Sequence, residues 1–486
     1  MGTADNDTAL CALPLVVDMD GTVLLTDMLH ESAVGLLRSS PTTVLRIPLW
    51  LARGKAVLKA ELAERFVFDP GLLPFNEPLV AWLRTERAAG RRLILCTASD
   101  GRIAQAVAAH LGIFDEVLAS DGETNLSGEV KARLLARRFG QGGFAYAGNA
   151  ATDLPVWREA RAAVVINAPE SLAVRVAQLC PVERSFAAVR SGLGVHLRML
   201  RLHQWLKNLL LAVPLAAAHR LAEPERWPPL LMAILAFSLC ASAVYLVNDL
   251  LDLESDRRHL RKCERALASG RVSLRLAVLL VPLLLACALG LASAVGQAFW
   301  GWLGGYFLLT CGYSLVLKRA ALLDCLTLAI LYTLRIVAGG AATGVPLSYW
   351  LLSFSVFLFL SLAFVKRYAE LQTQPPEAGG KLAGRGYRST DAPLVLTLGM
   401  ASGFASALVL SLYLNSEAVV RMYRTPECIW ATVPVLLFWI SHMWLTAHRG
   451  GMHDDPLVFA VKDKASLLAG LLFVAALVAG TVALPW

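Results

Sequence analysis

The sequence predicts a multidomain chain: a soluble α/β domain built on a parallel sheet, then an all-α membrane domain of nine spanning helices. Three observations carry this reading. Over residues 1–189, short apolar strands alternate with helical patterns, which is the signature of a parallel sheet with helices on both faces. From about residue 204 onward, apolar runs of about 20 residues dominate, long enough to cross a bilayer. Of the 486 residues, 56% are hydrophobic and 17% charged, too apolar for a soluble protein of this size.

The soluble part opens with LPLVVDMDGT, residues 13–22. A short apolar strand delivers Asp18 and Asp20 to a glycine turn. Further strands are expected at RRLILCTAS, FDEVLAS, FAYAGN and AAVVINAP. Ligands of such sheets bind at the carboxyl ends of the strands. Asp18, Asp20, Thr97 and Asn149 fall at such ends; Asp153 lies one turn further on and Lys131 begins a helix. The first 15 residues have neither a basic region nor an apolar run of signal-peptide length, so no signal peptide is expected.

The DxDGT run, the Thr after LILC, the isolated Lys and the closing GNAATD resemble the haloacid dehalogenase-like (HAD) phosphohydrolases over roughly residues 13–180. The resemblance implies Asp18 as a nucleophile that forms an aspartyl-phosphate, and Asp20 as general acid and then base. Thr97 and Lys131 would hold phosphoryl oxygens, and Asp18 with Asp153 would bind Mg²⁺. Residues 27–75 would form a small helical cap. The family's last motif begins Gly-Asp, whereas this chain has Gly148-Asn149. Asn149 therefore supplies a neutral oxygen where a hard cation prefers a charged one.

Nine spans are expected, near 205–222, 228–250, 273–294, 297–317, 322–344, 348–371, 391–415, 428–447 and 465–485. Residues 190–208, a basic amphipathic connector, would lie along the membrane surface. Seventeen Lys and Arg fall in the loops on one side of these spans and four on the other. The positive-inside rule then puts the soluble domain in the cytoplasm and the C-terminus outside, in a plasma or inner membrane. The nine cysteines are scattered without a CxxC pair, so free thiols are expected. The net charge of +8 is accounted for by these loops and calls for no nucleic acid.

The second span ends in VNDLLDLESD, followed by RRHLRKCER. On a helix, Asn248, Asp252 and Asp256 share one stripe, with Asp249 beside it. Oxygen ligands so crowded repel one another unless a cation joins them, and Mg²⁺ commonly bridges carboxylates to substrate phosphates. Arg258, Lys262 and Arg265 could bind the same anion. NDxxDxxxD in a nine-span chain resembles the UbiA superfamily of membrane transferases over roughly residues 190–486. There the motif holds a Mg²⁺–diphosphate leaving group, implying Asp249, Asp252 and Asp256 as metal ligands.

Within that superfamily, RLHQWLKN (201–208) and the run His259, Lys262, Arg265, Gly270 look like the decaprenyl-phosphate phosphoribosyltransferase branch. So does the pattern of Tyr313, Lys318 and Asp324. Three prolines of the branch pattern are replaced, by Leu202, Leu260 and Ala266. The implied reaction moves a phosphoribosyl group from phosphoribosyl diphosphate (PRPP), or another diphosphate donor, to a polyprenyl phosphate. Lys207, Lys318 and Arg335 are candidates for the cationic cradle. Arg335 lies inside a predicted span, where a charge should face a cavity or an ion-pair partner. The loop 377–391, with Lys381, Arg385 and Arg388, reads as a mobile cationic flap. Two other readings stand beside this one. An aromatic-acceptor prenyltransferase would need a second DxxxD, and position 328 is Leu. A transporter with a phosphatase-like domain would carry its acids mid-membrane rather than at one rim.

Overall fold

The computed structural model describes residues 13–187, 192–373, 385–417, 419, 423–452 and 455–481. The chain forms two compact units. One runs to Leu200 and takes in Leu246–Val281; the other joins Arg201–Tyr245 to the chain from Pro282 onward.

The first unit is built on a six-stranded sheet: β1 Leu15–Val17, β2 Leu93–Asp100, β3 Glu116–Ser120, β4 Ala145–Gly148, β5 Ala162–Ile166 and β6 Val182–Phe186. The order is β3-β2-β1-β4-β5-β6 and every pairing is parallel. β1 lies between β2 and β4, with Leu15 opposite both Leu93 and Ala145. The strands LVV, AYAG and AAVVI are buried throughout, as parallel strands covered on both faces must be. One face packs Leu15, Val17, Leu93 and Leu95 on the helices Glu77–Ala88 and Gly101–Leu111. The other packs Val16, Ile94 and Tyr146 on Glu129–Phe139 and Leu154–Glu159. Each such side chain contributes roughly 1.5–3 kcal/mol by leaving water.

β6 was not expected. Its sequence, VERSF, is mostly exposed and carries charges, because an edge strand needs apolar contact on little of its surface. Buried Arg91 helps fix it, with ion pairs to Glu183 at 2.5 Å and Glu86 at 2.9 Å. Residues 27–75, expected as a helical cap, contain the helices Met28–Ser39, Ile47–Ala52 and Lys55–Arg65. These share a small core of Leu36, Trp50, Leu58 and Leu62.

The helical part is all-α, and among the described residues seven helices are long and apolar enough to cross a membrane. Two of the nine expected spans fall short. The first, 205–222, folds as a 3₁₀-helix, Leu202–Ala212, and a five-residue helix, Val213–Ala217. The chain then turns at His219, whose φ is +57°. The other, Gln297–Leu315, is one helix of 19 residues whose first half is rich in Trp and Gly. The remaining expected spans match helices within a few residues; residues 482–486, at the end of the last, lie outside the described ones. Helix Leu323–Thr343 is the most enclosed of the seven, with two-thirds of its apolar window buried.

Candidate active sites

In the α/β unit, β1 ends where Asp18 begins, and the Asp18 amide donates to the Ala147 carbonyl at 2.9 Å. Lys131, buried on the first turn of its helix, donates to Asp18 Oδ1 at 2.8 Å and to the Tyr146 hydroxyl at 3.0 Å. Tyr146 in turn donates to Asp153 Oδ1 at 2.9 Å. The amides of Asn149 and Ala150 donate to Asp153 Oδ2 at 3.3 and 3.2 Å. Lys131 thus stands between two carboxylates, 2.8 Å from Asp18 and 4.0 Å from Asp153. Among the described residues nothing donates to the other oxygen of Asp18. Burial pushes the Asp18 carboxyl up to about 7; Lys131 opposes this, while Asp153 and Asp20 add to it.

Asp20 is held differently. Its Oδ1 accepts from the Met28 amide at 2.8 Å, and its Oδ2 from Ser99 at 2.7 Å and Thr97 at 3.2 Å. Burial raises its carboxyl above the usual range, with Asp27 adding to the effect. That suits a group that must carry a proton to a leaving oxygen. Gly21, with φ +74°, makes the turn directly after Asp20; a Cβ there would stand 2.0 Å from the Asn149 side chain. Helix Lys55–Arg65 supplies a cation that no motif announced. Lys59 donates to the Ala98 carbonyl at 2.6 Å and to Asn125 at 2.9 Å. Burial lowers its ammonium, and the nearby Asp20 and Asp27 oppose that.

The acidic cluster belongs to the same unit. Helix Trp227–Leu251 gives way at Asp252 to a second helix, Leu253–Arg258, yet the backbone bonding continues: Asp252 N–H to Asn248 and Asp256 N–H to Asp252, both at 2.8 Å. The expected spacing of Asn248, Asp252 and Asp256 therefore survives the kink. The pair that converges is different. Asp249 and Asp256, two turns apart, both reach Arg265 Nη1, at 3.2 and 2.6 Å. Arg258, more than half exposed, pairs with Glu254 at 2.6 Å, and Lys262 is half-buried. Burial raises the Asp256 carboxyl, against the pull of Arg265.

Among the described residues no three carboxylates, histidines or cysteines close on one point. In both places two carboxylates meet a cation of the chain itself, Lys131 in one and Arg265 in the other. Such oxygen pairs fit Mg²⁺, which takes one or two carboxylates and completes its shell with waters and substrate phosphates. Asn149 is adjacent to the first pair through its backbone.

The residues that match sequence families now have a place in the fold. Residues 15–158 match the haloacid dehalogenase-like hydrolases, and residues 209–374 match the UbiA prenyltransferase family. A Sinorhizobium fredii protein named "Uncharacterized protein y4nM" is 38% identical over 96% of this chain and 90% of its own. The chain belongs to the UbiA family. Its HAD-like domain is fused to the UbiA domain, an arrangement that the near full-length match carries as well. The Azorhizobium caulinodans "Nodulation protein NoeC" is 35% identical over 55% of this chain and 87% of its own. The "Decaprenyl-phosphate phosphoribosyltransferase" of Mycobacterium tuberculosis is 33% identical over 57% of this chain and 91% of its own. Like the family, this is an integral membrane protein, and both of its domains are of enzyme families.

The second unit holds the remaining UbiA candidates. Lys207, 8% exposed, donates to Asp455 Oδ2 at 2.7 Å. Lys366 reaches the same oxygen at 3.4 Å and the Tyr332 hydroxyl donates to Oδ1 at 3.2 Å. Burial alone would raise the Asp455 carboxyl, but Lys207 and Lys366 hold it well below the usual carboxylate range. Arg335 has no carboxylate partner among the described residues. It donates to Asn208 at 2.9 Å, to the Leu331 carbonyl at 2.6 Å and to the Tyr306 hydroxyl at 3.1 Å, with its guanidinium 4.8 Å from the Tyr306 ring. Asp324 is fully buried, paired with Arg367 at 2.5 Å and accepting from Tyr387 at 2.7 Å. Tyr313 accepts from Arg385 at 3.0 Å, and Lys318 is half-buried on a short 3₁₀-helix. Lys381 and most of the expected flap lie outside the described residues.

Several of these residues carried no sequence signal. Lys59 sits in AVLKAELAER, an ordinary amphipathic helix. Tyr146 lies inside a strand read only as apolar. Asp455 precedes Pro456 and caps its helix through the Leu457 amide, so a helix-start pattern was visible but its ion pair was not.

Proposed function

We propose that this chain transfers a phosphoribosyl group from PRPP to a polyprenyl phosphate, releasing diphosphate, and that its HAD-like domain removes the 5-phosphate of the lipid-linked product. The convergence of Asp249 and Asp256 on one cationic point supports this most directly. It is the arrangement a departing Mg²⁺–diphosphate needs, in a chain 33% identical to a protein named as a decaprenyl-phosphate phosphoribosyltransferase.

In the transfer, the bond from the anomeric carbon to diphosphate breaks and a bond to the lipid phosphate oxygen forms. Bound Mg²⁺ supplies charge neutralisation for the leaving diphosphate. Asp249, Asp252 and Asp256 would hold it, and Arg265, Lys262 and Arg258 would bind the anion. The lipid phosphate is already anionic, so it needs a cationic cradle rather than a general base. Lys207, Lys318 and Arg335 are assigned that role, and Arg335, whose partners among the described residues are neutral, brings its charge to it.

In the hydrolysis, Asp18 attacks phosphorus and the bond to the sugar oxygen breaks, with Asp20 donating its proton to that oxygen. Asp20 then takes a proton from the water that cleaves the aspartyl-phosphate. Thr97 and Lys131 would hold the phosphoryl oxygens, while Asp18, Asp153 and Asn149 would hold Mg²⁺. The active sites face the cytoplasm. The test is incubation of purified protein with PRPP, Mg²⁺ and polyprenyl phosphate, followed by lipid mass spectrometry. Wild type should yield lipid-linked ribose, and Asp18→Asn should accumulate lipid-linked phosphoribose. Failure of wild type to modify the lipid refutes the transfer; identical lipid products from both refute the second step.

A further inference from the structure

The segment after Asp252 packs within the same unit as the α/β domain, and the contact is polar and buried. Arg257 forms a two-pronged ion pair with Glu31, Nη2 to Oε1 at 2.6 Å and Nη1 to Oε2 at 3.2 Å. The two side chains are 8% and 3% exposed. Glu31 also accepts from the Thr26 hydroxyl at 2.8 Å, and Arg257 Nε donates to the Ala268 carbonyl at 3.1 Å. Arg38 pairs with Glu254 at 2.6 Å nearby. Gly270, with φ +70°, lies against Leu25: a Cβ there would stand 2.7 Å from the Leu25 Cβ and 3.0 Å from its carbonyl oxygen. Beside the ion pair is a cavity of about 320 Å³, walled by Val34, Phe66, Leu72, Leu250 and Leu253. Apolar packing leaves that much of the contact unfilled, so its register is set chiefly by directional polar bonds.

The pair touches both candidate sites through one short step each. Glu31 lies in the first turn of helix Met28–Ser39, whose leading amide, from Met28, holds Asp20 Oδ1. Arg257 follows Asp256 directly, and by binding Ala268 it ties the acidic helix to the turn segment after Lys262–Glu264, which carries Arg265. We propose that Glu31 and Arg257 are a positioning pair that couples the two centres: Glu31 fixes the acidic loop for metal and diphosphate, and Arg257 fixes the helix that orients Asp20. The functional half of this proposal rests on the reading of the two sites above. Neutralising one partner leaves a buried charge without its counter-ion, so the other must leave its place and take its segment with it.

The test uses the full-length protein in detergent, with Glu31→Gln, Arg257→Gln and the exchanged pair Glu31→Arg/Arg257→Glu. Glu31→Gln should speed hydrogen–deuterium exchange over residues 252–270 by about tenfold, and Arg257→Gln should do so over residues 26–36. Exchange in the sheet and in the other helices should stay unchanged. Glu31→Gln should also raise the Mg²⁺ concentration for half-maximal lipid transfer about fivefold, with little change in kcat. The exchanged pair should recover most of both effects. Acceleration throughout the unit, an effect confined to the mutated side, or an exchanged pair no better than the single variants would overturn the coupling. If wild type transfers nothing to the lipid, the functional reading fails, while the exchange measurements still decide the coupling.

Discussion

Replacing Asp455 by Asn keeps the shape of the side chain and removes its charge from between two lysines. Lys207 lies 2.7 Å away and Lys366 3.4 Å away. At an effective dielectric of about 20, these attractions amount to about 6 and about 5 kcal/mol before desolvation is counted. Desolvating buried Lys207 and Asp455, and solvent screening of half-buried Lys366, cancel much of that, so the cluster is worth far less than the sum. The variant, however, leaves buried Lys207 and half-buried Lys366 facing each other without this counter-ion. A loss of about 3–5 kcal/mol is expected, the usual cost of removing one partner of a buried pair. The assay is equilibrium unfolding in mixed micelles at neutral pH, comparing wild type with Asp455→Asn. The difference should also depend on pH. A carboxyl held below its unfolded value stabilises the fold fully above that value, about 3.9. The stabilisation is lost as pH falls towards the folded value, so the gap between the proteins should shrink below about pH 4. A difference under about 1 kcal/mol at neutral pH, or one unchanged from pH 7 to pH 3, would refute the reasoning.

Asp20→Asn should lower phosphate release from a soluble phosphomonoester by about 10²–10⁴-fold and leave lipid transfer intact, which a malachite-green assay beside lipid mass spectrometry would check. Asp252→Ala and Asp256→Ala should each abolish transfer while the protein remains folded by circular dichroism; EDTA should do the same, and added Mg²⁺ should restore the wild type only. Arg335→Met should weaken half-saturation by polyprenyl phosphate about tenfold or more, since a charge-assisted contact to an anion is worth about 1.5–3 kcal/mol. Unchanged affinity together with lowered stability would make Arg335 a purely structural residue.

By itself, the sequence determined the two-part organisation, because hydropathy and strand–helix alternation are local properties. Five of the six strands were legible as apolar runs ended by turn residues, and the two acidic motifs were legible because their chemistry is packed into short spacings. β6 was not, since an edge strand lacks the apolar signal that buried strands must carry. The count of nine spans also exceeded what local pattern can decide: residues 202–217 are apolar, but a 3₁₀ path and a turn at His219 shorten them. Only the tertiary structure decided which charges meet. Lys131 reaches Asp18 across 113 positions, Arg257 reaches Glu31 across 226, and Lys207 reaches Asp455 across 248. No periodicity links residues so far apart, and a lone Lys or Asp looks the same in sequence whether it is solvated or buried. Even within the acidic cluster, helical spacing favoured Asn248, Asp252 and Asp256, while the loop after that helix placed Arg265 on Asp249 and Asp256 instead. Burial is what makes such pairs obligatory, because a charge removed from water must find its partner in the fold.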